Sequence, residues 1–455
     1  MYELIDRIAG ADPDRPAIVT HAGSRSYAEL AADARRVAAA LRAEGITRFA
    51  IVDHDADVVV ALVAGAALAG VEACQYPPAE PSEVAELLGR FDHDVLVTDR
   101  VDLADLGARV LASAVLVGGT DDRAPDRAPV DARPHLVLTT GTTGAPRGVR
   151  HDWSRLLRGT PRVRPAAGER WLLAYGLHQF AGLQVLLHVF AAGATLVAPA
   201  PRRPLEGLAA MRALGVTHAS ATPTYWRFLL AEMRSDGGPV PALQQVTLGG
   251  EAIPGPLLQD LRRTFPDAAV SQVYAASEFG STGSMRDGRP GLSVSVLDRG
   301  DDADVDMRVV DGELWIRSRA GMLGYYGEPP VDADAWRPTG DRVEIDGDRV
   351  LFRGRTSEII NVGGVKVHPL PIEERVSAVP GVDMARVHGR PNPMTGAIVA
   401  LEVVAAPGSD QQALKAAIRA ACEDLPAAAR PRSIRFVDDI VTAGSKIVRR
   451  QTSEH

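Results

Sequence analysis

The segment most suited to chemistry is Thr139-Thr140-Gly141-Thr142-Thr143-Gly144-Ala145-Pro146-Arg147-Gly148, four threonines and three glycines directly after the apolar run Leu136–Leu138. Glycines allow a tight turn whose amides point inward, and the hydroxyls add donors, so such a loop can hold phosphate oxygens. It lacks the Gly-Lys-Ser/Thr ending of a Walker A loop. A plain Thr/Gly linker is the alternative, but it does not explain the position at the end of a strand. A second signal is scarcity. Lysine occurs only at Lys366, Lys415 and Lys446, and arginine supplies the rest of the 50 basic residues. A retained lysine is therefore more informative here than in most chains.

Other chemistries find no support. No Gly-x-Ser-x-Gly elbow is present, and no His/Cys cluster has metal-ligand spacing. A formal charge of −8 supplies no basic field for nucleic acid or anionic lipid. Cys74 and Cys422 form no disulfide framework, which points to a reducing cytoplasm. No secretory signal is visible before Asp14, and Val58–Val71 is too short for a membrane span. Trp171–Pro201 carries no charge, but Gly176, His178, Gln179, Gly182, His188 and Pro199 interrupt it. It reads as strand, loop, helix and strand.

The elements that must position these residues alternate between helix and short strand. Ser26 with Glu29 forms a capping box for a helix through Leu30, Val37 and Leu41, closed by Gly45. Phe49–Val52, Val95–Thr98, Leu111–Val117, Leu136–Leu138, Thr217–Ala221, Val246–Leu248 and Ala269–Tyr274 read as strands, and Val58–Val71 and 205–214 as helices. The pattern predicts an α/β fold with a mostly parallel sheet. Residues 118–133 read as a loop. From about residue 305 the chain turns antiparallel, with Asp311-Gly312 and Asp346-Gly347 as hairpin turns. After Arg355 a small α+β unit follows, with helices near Pro371–Ala378 and Gln411–Cys422 and strands near Ala385–His388, Ile398–Val404 and Ser433–Val437.

Seven segments in register resemble the adenylate-forming superfamily of acyl-CoA synthetases, adenylation domains and luciferases. The Thr/Gly loop resembles its phosphate signature, and Leu248-Gly249-Gly250-Glu251-Ala252 its adenine-pocket loop. Tyr274-Ala275-Ala276-Ser277-Glu278 resembles its Tyr-Gly-x-Thr-Glu element, and Thr339-Gly340-Asp341 its Thr-Gly-Asp. Gly354-Arg355 resembles the Gly-Arg that leads into the hinge. Val362-Gly363-Gly364-Val365-Lys366-Val367 and Gly444-Ser445-Lys446-Ile447 resemble its thiol-tunnel and terminal-lysine segments. Three departures stand out: Arg147 where the family usually has lysine, Ser277 for threonine, and Ser357 at the hinge, where Asp or Lys is common.

The resemblance implies ATP-dependent activation of a small carboxylic acid as an acyl-AMP, with Mg²⁺, then transfer to CoA or to a carrier-protein pantetheine acting in trans. An amide- or N–N-forming acceptor and a non-catalytic nucleotide-binding module remain alternatives. It implies a large domain over 1–353, a hinge over 354–357 and a mobile lid over 358–455. Lys446, Thr142, Glu278 and Arg147 would serve catalysis, Glu278 as the metal ligand. Thr139, Thr140, Gly141, Thr143, Gly144, Gly250, Glu251, Ala252, Tyr274, Ala275, Ser277, Asp341 and Arg355 would bind nucleotide. His178, Phe180, Gly182, Gly249 and Ala276 would shape the acid pocket, for an aromatic or medium-length aliphatic acid. Gly363 and Gly364 would line the thiol tunnel. His151 and His188 read as structural, and Tyr225 and Trp226 as either pocket wall or core.

Overall fold

The computed structural model describes residues 1–53, 55–119, 134–140 and 145–440, together with the backbone of 442–443 and 446–447; the side chain of Thr140 lies outside that description. Two sheets dominate the first three hundred residues. The larger runs in the order Gly280–Met285, Ala269–Ala276, Gln245–Gly249, His218–Ala221, Arg170–Leu173, Thr195–Val197, Pro16–Val19, Ser24–Ser26. The second runs Gly324–Tyr325, Pro146–Asp152, Pro134–Thr140, Glu72–Gln75, Arg48–Ile51, Val95–Val97, Arg109–Leu111. The inner strands of both are parallel, as expected, but antiparallel strands flank them: Gly280–Met285 on Ala269–Ala276, and Pro146–Asp152 on Pro134–Thr140. One apolar cluster joins the two sheets through helices Tyr27–Ala43, Ala56–Ala69 and Phe180–Ala192.

Local chemistry explains these elements. Ser26 accepts from the Glu29 amide while Glu29 reaches back to the Ser26 amide, so the capping box forms as the sequence predicts. Gly65 lets two helices close up: a Cβ there would lie 2.6 Å from Val37 Cβ. The expected strand over Leu111–Val117 is instead a strand Arg109–Leu111 followed by a helix Ser113–Val117. Ser113, Leu116 and Val117 are buried while Ala114 and Val115 are exposed, a helical period that the apolar run concealed.

The later chain is antiparallel, in the order Leu292–Ser293, Arg349–Arg355, Arg337–Asp346, Glu313–Ser318, Val305–Val310. Asp311 (φ 49°) and Gly312 (φ 73°) both take the left-handed conformation that a two-residue hairpin turn requires. A separate apolar cluster from Ile360 to Phe436 is built on Gly396–Ala405 and its neighbours with helices Pro369–Ser377 and Gln411–Ala421. No described helix is long and apolar enough to cross a membrane.

Candidate active site

Four parallel strands of the larger sheet build the site. Along one face Trp171, His218, Ser220, Gln245, Thr247, Gly249, Ser271, Val273 and Ala275 line a cavity of about 740 Å³. The residues between them, including Leu172, Ala219, Val246, Leu248 and Val270, pack into an apolar cluster on the other side. Register brings the lining residues side by side, with Trp171 beside His218, His218 beside Gln245, Ser220 beside Thr247, and Thr247 beside Ser271. The Trp171 indole sits between His188 (4.8 Å) and His218 (4.9 Å). Glu169 accepts from Trp171 Nε1 at 2.8 Å and pairs with His218 Nε2 at 3.3 Å. Burial pushes both imidazoles below their ordinary pKa.

Of the residues expected from the sequence, Thr139, His178, Phe180, Gly249, Gly250, Ala275, Ala276 and Ser277 converge on this cavity. The His178 ring folds back over Gly176, and burial pushes its pKa down to about 4, so it stays neutral. Phe180 stacks on the buried His151 at 5.2 Å, and burial pushes His151 down to about 3. Gly182 does not line the cavity. It admits the Gly176 carbonyl, which would lie 2.3 Å from a Cβ.

A second group gathers around Asp341. Tyr274 Oη donates to Asp341 Oδ2 at 2.6 Å, and Arg355 Nε donates to Oδ1 at 3.1 Å. The Tyr274 ring leans on Phe352, with centroids 4.9 Å apart. Burial, then the Asp341 charge, raises the Tyr274 pKa well above its usual value, so the phenol remains a donor. Gly340 takes φ 78°, and the Asp341 amide bonds Thr339 Oγ1 at 3.0 Å. Glu251 accepts from the Thr224 amide at 3.0 Å, at the start of helix Pro223–Asp236, with half-buried Ala252 beside it.

A third group surrounds Glu278. Tyr325 Oη donates to Glu278 Oε1 at 3.0 Å, and the Arg147 guanidinium lies 3.3 Å from the Tyr325 ring centroid. Arg147 also pairs with Glu328 at 2.7 Å. Burial and Glu278 push the Tyr325 pKa up to about 12. Glu278 Oε2 has no protein partner among the described residues. Such a half-buried carboxylate suits Mg²⁺, which takes one or two carboxylates and leaves its other positions to phosphate and water.

Gly363 and Gly364 form the turn between Ile360–Val362 and Val365–Val367, both with positive φ, and the Gly364 amide bonds Asn361 Oδ1 at 2.9 Å. Ser357 lies in a single 3₁₀ turn, Thr356–Glu358, and lines an open depression with Gly364 and Thr395. Gly141, Thr142, Thr143 and Gly144 lie outside the described residues, as does the Lys446 side chain; the Lys446 backbone pairs with Ala443.

Sequence reading missed Trp171, His218, Gln245, Thr247 and Ser271, and took His188 for structural although it lines the cavity. The signal was present: His218-Ala-Ser-Ala and Gln245-Val-Thr-Leu alternate polar and apolar, whereas strands covered on both faces read as continuous apolar runs. Tyr225 and Trp226 are core, and Trp226 Nε1 donates to the Thr247 carbonyl at 3.0 Å.

Comparison with known proteins follows the same lines. The AMP-binding enzyme family matches residues 5–326, and the AMP-binding enzyme C-terminal domain matches 371–446. The chain is 28% identical to the fatty acid–[acyl-carrier-protein] ligase MmaC of Mycobacterium marinum, over 93% of this chain and 91% of that protein. It is 28% identical to a feruloyl-CoA synthase of an Amycolatopsis species, over 94% of this chain and 93% of that protein. Its fold matches the anthranilate CoA ligase AuaEII, solved in complex with anthranoyl-AMP, with a TM-score of 0.86 at 20% identity, over 98% of this chain and 95% of that one.

Proposed function

We propose, from the premise that this chain belongs to the AMP-binding enzyme family, that it activates a small aromatic or medium-length aliphatic acid as its acyl-AMP and passes the acyl group to a thiol. In the first step an acid oxygen bonds to the α-phosphorus of ATP as the bond to the bridging oxygen breaks, and pyrophosphate leaves. No protein nucleophile is needed; the work is positioning and charge neutralisation. In the second step a thiolate attacks the acyl carbonyl and AMP leaves.

The observation that carries this reading is the convergence of Thr139, Gly249, Gly250, Ala275, Ala276 and Ser277 on one cavity. In this reading the acid lies in the cavity, walled by His178 and Phe180, with Ser277 and the Thr/Gly loop at the phosphates. The Tyr274 ring meets the adenine, and Asp341 with Arg355 takes the ribose hydroxyls; a carboxylate has acceptor sites beyond those used by Tyr274 and Arg355. Glu278 holds Mg²⁺, which when bound neutralises triphosphate charge. Arg147, anchored by Tyr325 and Glu328, brings a second cation to the phosphates. Residues 354–357 act as a hinge between 1–353 and a lid over 358–455. The lid first carries Lys446 to the leaving phosphates, then presents Gly363-Gly364 to the thiol.

CoA is the favoured acceptor. The similarity to an acyl-carrier-protein ligase supports a second reading, in which a carrier's pantetheine takes the acyl group in trans. The test is pyrophosphate release by the full chain with ATP, Mg²⁺ and a panel of benzoates, hydroxycinnamates and fatty acids. CoA or a pantetheinylated carrier is then added and the products are weighed by mass spectrometry. Absence of pyrophosphate with every acid would refute the proposal and restore a non-catalytic nucleotide-binding role.

A further inference from the structure

The floor of the acid cavity is polar in a place where a parallel sheet ordinarily presents Val, Ile and Leu. Gln245, Thr247 and Ser271 sit on adjacent strands, all buried, and bond one another. Gln245 Nε2 donates to Ser271 Oγ at 2.7 Å and to Thr247 Oγ1 at 3.0 Å, and the two hydroxyls share a bond at 3.0 Å. That last bond uses one of the two hydroxyl protons. The other proton and Gln245 Oε1 have no partner among the described residues. Turning the amide over exchanges its atoms but still leaves one of them without a protein partner. The floor therefore offers both a donor and an acceptor to whatever fills the cavity. Beside it, the Trp171 indole with the His188 and His218 rings tilted against it forms an aromatic wall.

Resting on the acid-activating function proposed above, we infer that the substrate is an aromatic acid bearing a hydroxyl or amino group on its ring. That substituent bonds the Gln245–Thr247–Ser271 floor while the ring packs on the Trp171 wall. An unadorned alkyl chain would bury the spare donor and acceptor without giving either a partner. A second carboxylate fits poorly at the floor: burial lowers the pKa of His188 and His218, and of the arginines lining the cavity Arg155 donates to the Met322 carbonyl, Arg158 and Arg162 pair with Asp304, and Arg286 is solvent-exposed. Gln245, Thr247 and Ser271 are thus specificity residues.

The experiment is kcat/KM for pyrophosphate release with benzoate, its hydroxy and amino derivatives, terephthalate and octanoate. A site built to bond a hydroxyl discriminates strongly against the analogue that lacks it, so the best hydroxy- or aminobenzoate should exceed benzoate and octanoate by about 100-fold or more. In Thr247→Val, or in Ser271→Ala should the first fold poorly, the ratio of the substituted acid to benzoate should fall about 10-fold or more. Octanoate or terephthalate as the best substrate would overturn this inference and leave acid activation standing. So would a variant that lowers every acid equally. No pyrophosphate from any acid would remove the parent reading and this one with it.

Discussion

Replacing Asp341 by Asn tests the nucleotide face most directly. The wild-type carboxylate accepts from Tyr274 at 2.6 Å and from Arg355 at 3.1 Å, and two ribose hydroxyls would add to its free lone pairs. A hydrogen bond to a charged acceptor contributes about 1.5–3 kcal/mol, against about 1 kcal/mol for a neutral one. Asn keeps the shape but offers one accepting oxygen and turns an NH₂ toward Tyr274 or Arg355. Two weakened ribose bonds then cost about 1–4 kcal/mol of ATP binding, or about 5- to 1,000-fold in kcat/KM for ATP. Folding should suffer little, because Arg355 is 49% exposed and such an ion pair contributes at most about 1 kcal/mol. The assay is pyrophosphate release with ATP varied at saturating acid, alongside the urea midpoint. A change of less than about 5-fold in ATP kcat/KM would refute the assignment, as would a loss confined to the acid KM.

Three further outcomes follow from the site and its supports. Lys446→Ala should lower pyrophosphate release by about 100-fold or more, while transfer from synthetic acyl-AMP to the thiol stays within a few-fold; equal loss of both would contradict a lid with two positions. His93, His135 and His178 are pushed down to about 4 and His151 to about 3 by burial, against an ordinary 6.5. Above pH 6.5 they are neutral folded or unfolded and add no pH dependence. Below it the unfolded chain binds the protons, so stability should fall toward pH 5 by up to about 1.4 kcal/mol per pH unit for each, and a urea midpoint flat over that window would contradict their burial. Gly182→Ala sets a Cβ 2.3 Å from the Gly176 carbonyl and should destabilise the fold by about 1–3 kcal/mol; an unchanged urea midpoint would show that the helix start yields freely.

The turn chemistry and caps were readable from the sequence because they are local. Ser26/Glu29 and Asp311-Gly312 each specify a conformation through neighbouring residues alone, and both formed as expected. The glycine- and hydroxyl-bearing segments were readable because their composition is unusual. The cavity floor was not, since His218, Gln245 and Ser271 lie on three separate strands and meet only through lateral register. Nothing near Gly182 in the sequence distinguishes space for a ligand from space for a carbonyl. Helix Ser113–Val117 misled because five residues are too few for apolar content to reveal a period.

The two faces of the strands carrying the floor do separate jobs, and this has an evolutionary consequence. Positions 171, 218, 245, 247 and 271 can drift toward new ligands while positions 172, 219, 246, 248 and 270, one step away, keep the scaffold intact. Selectivity and folding are thereby uncoupled at single-residue resolution. A descendant could be retuned by a handful of exchanges at alternate positions, with no loop remodelling.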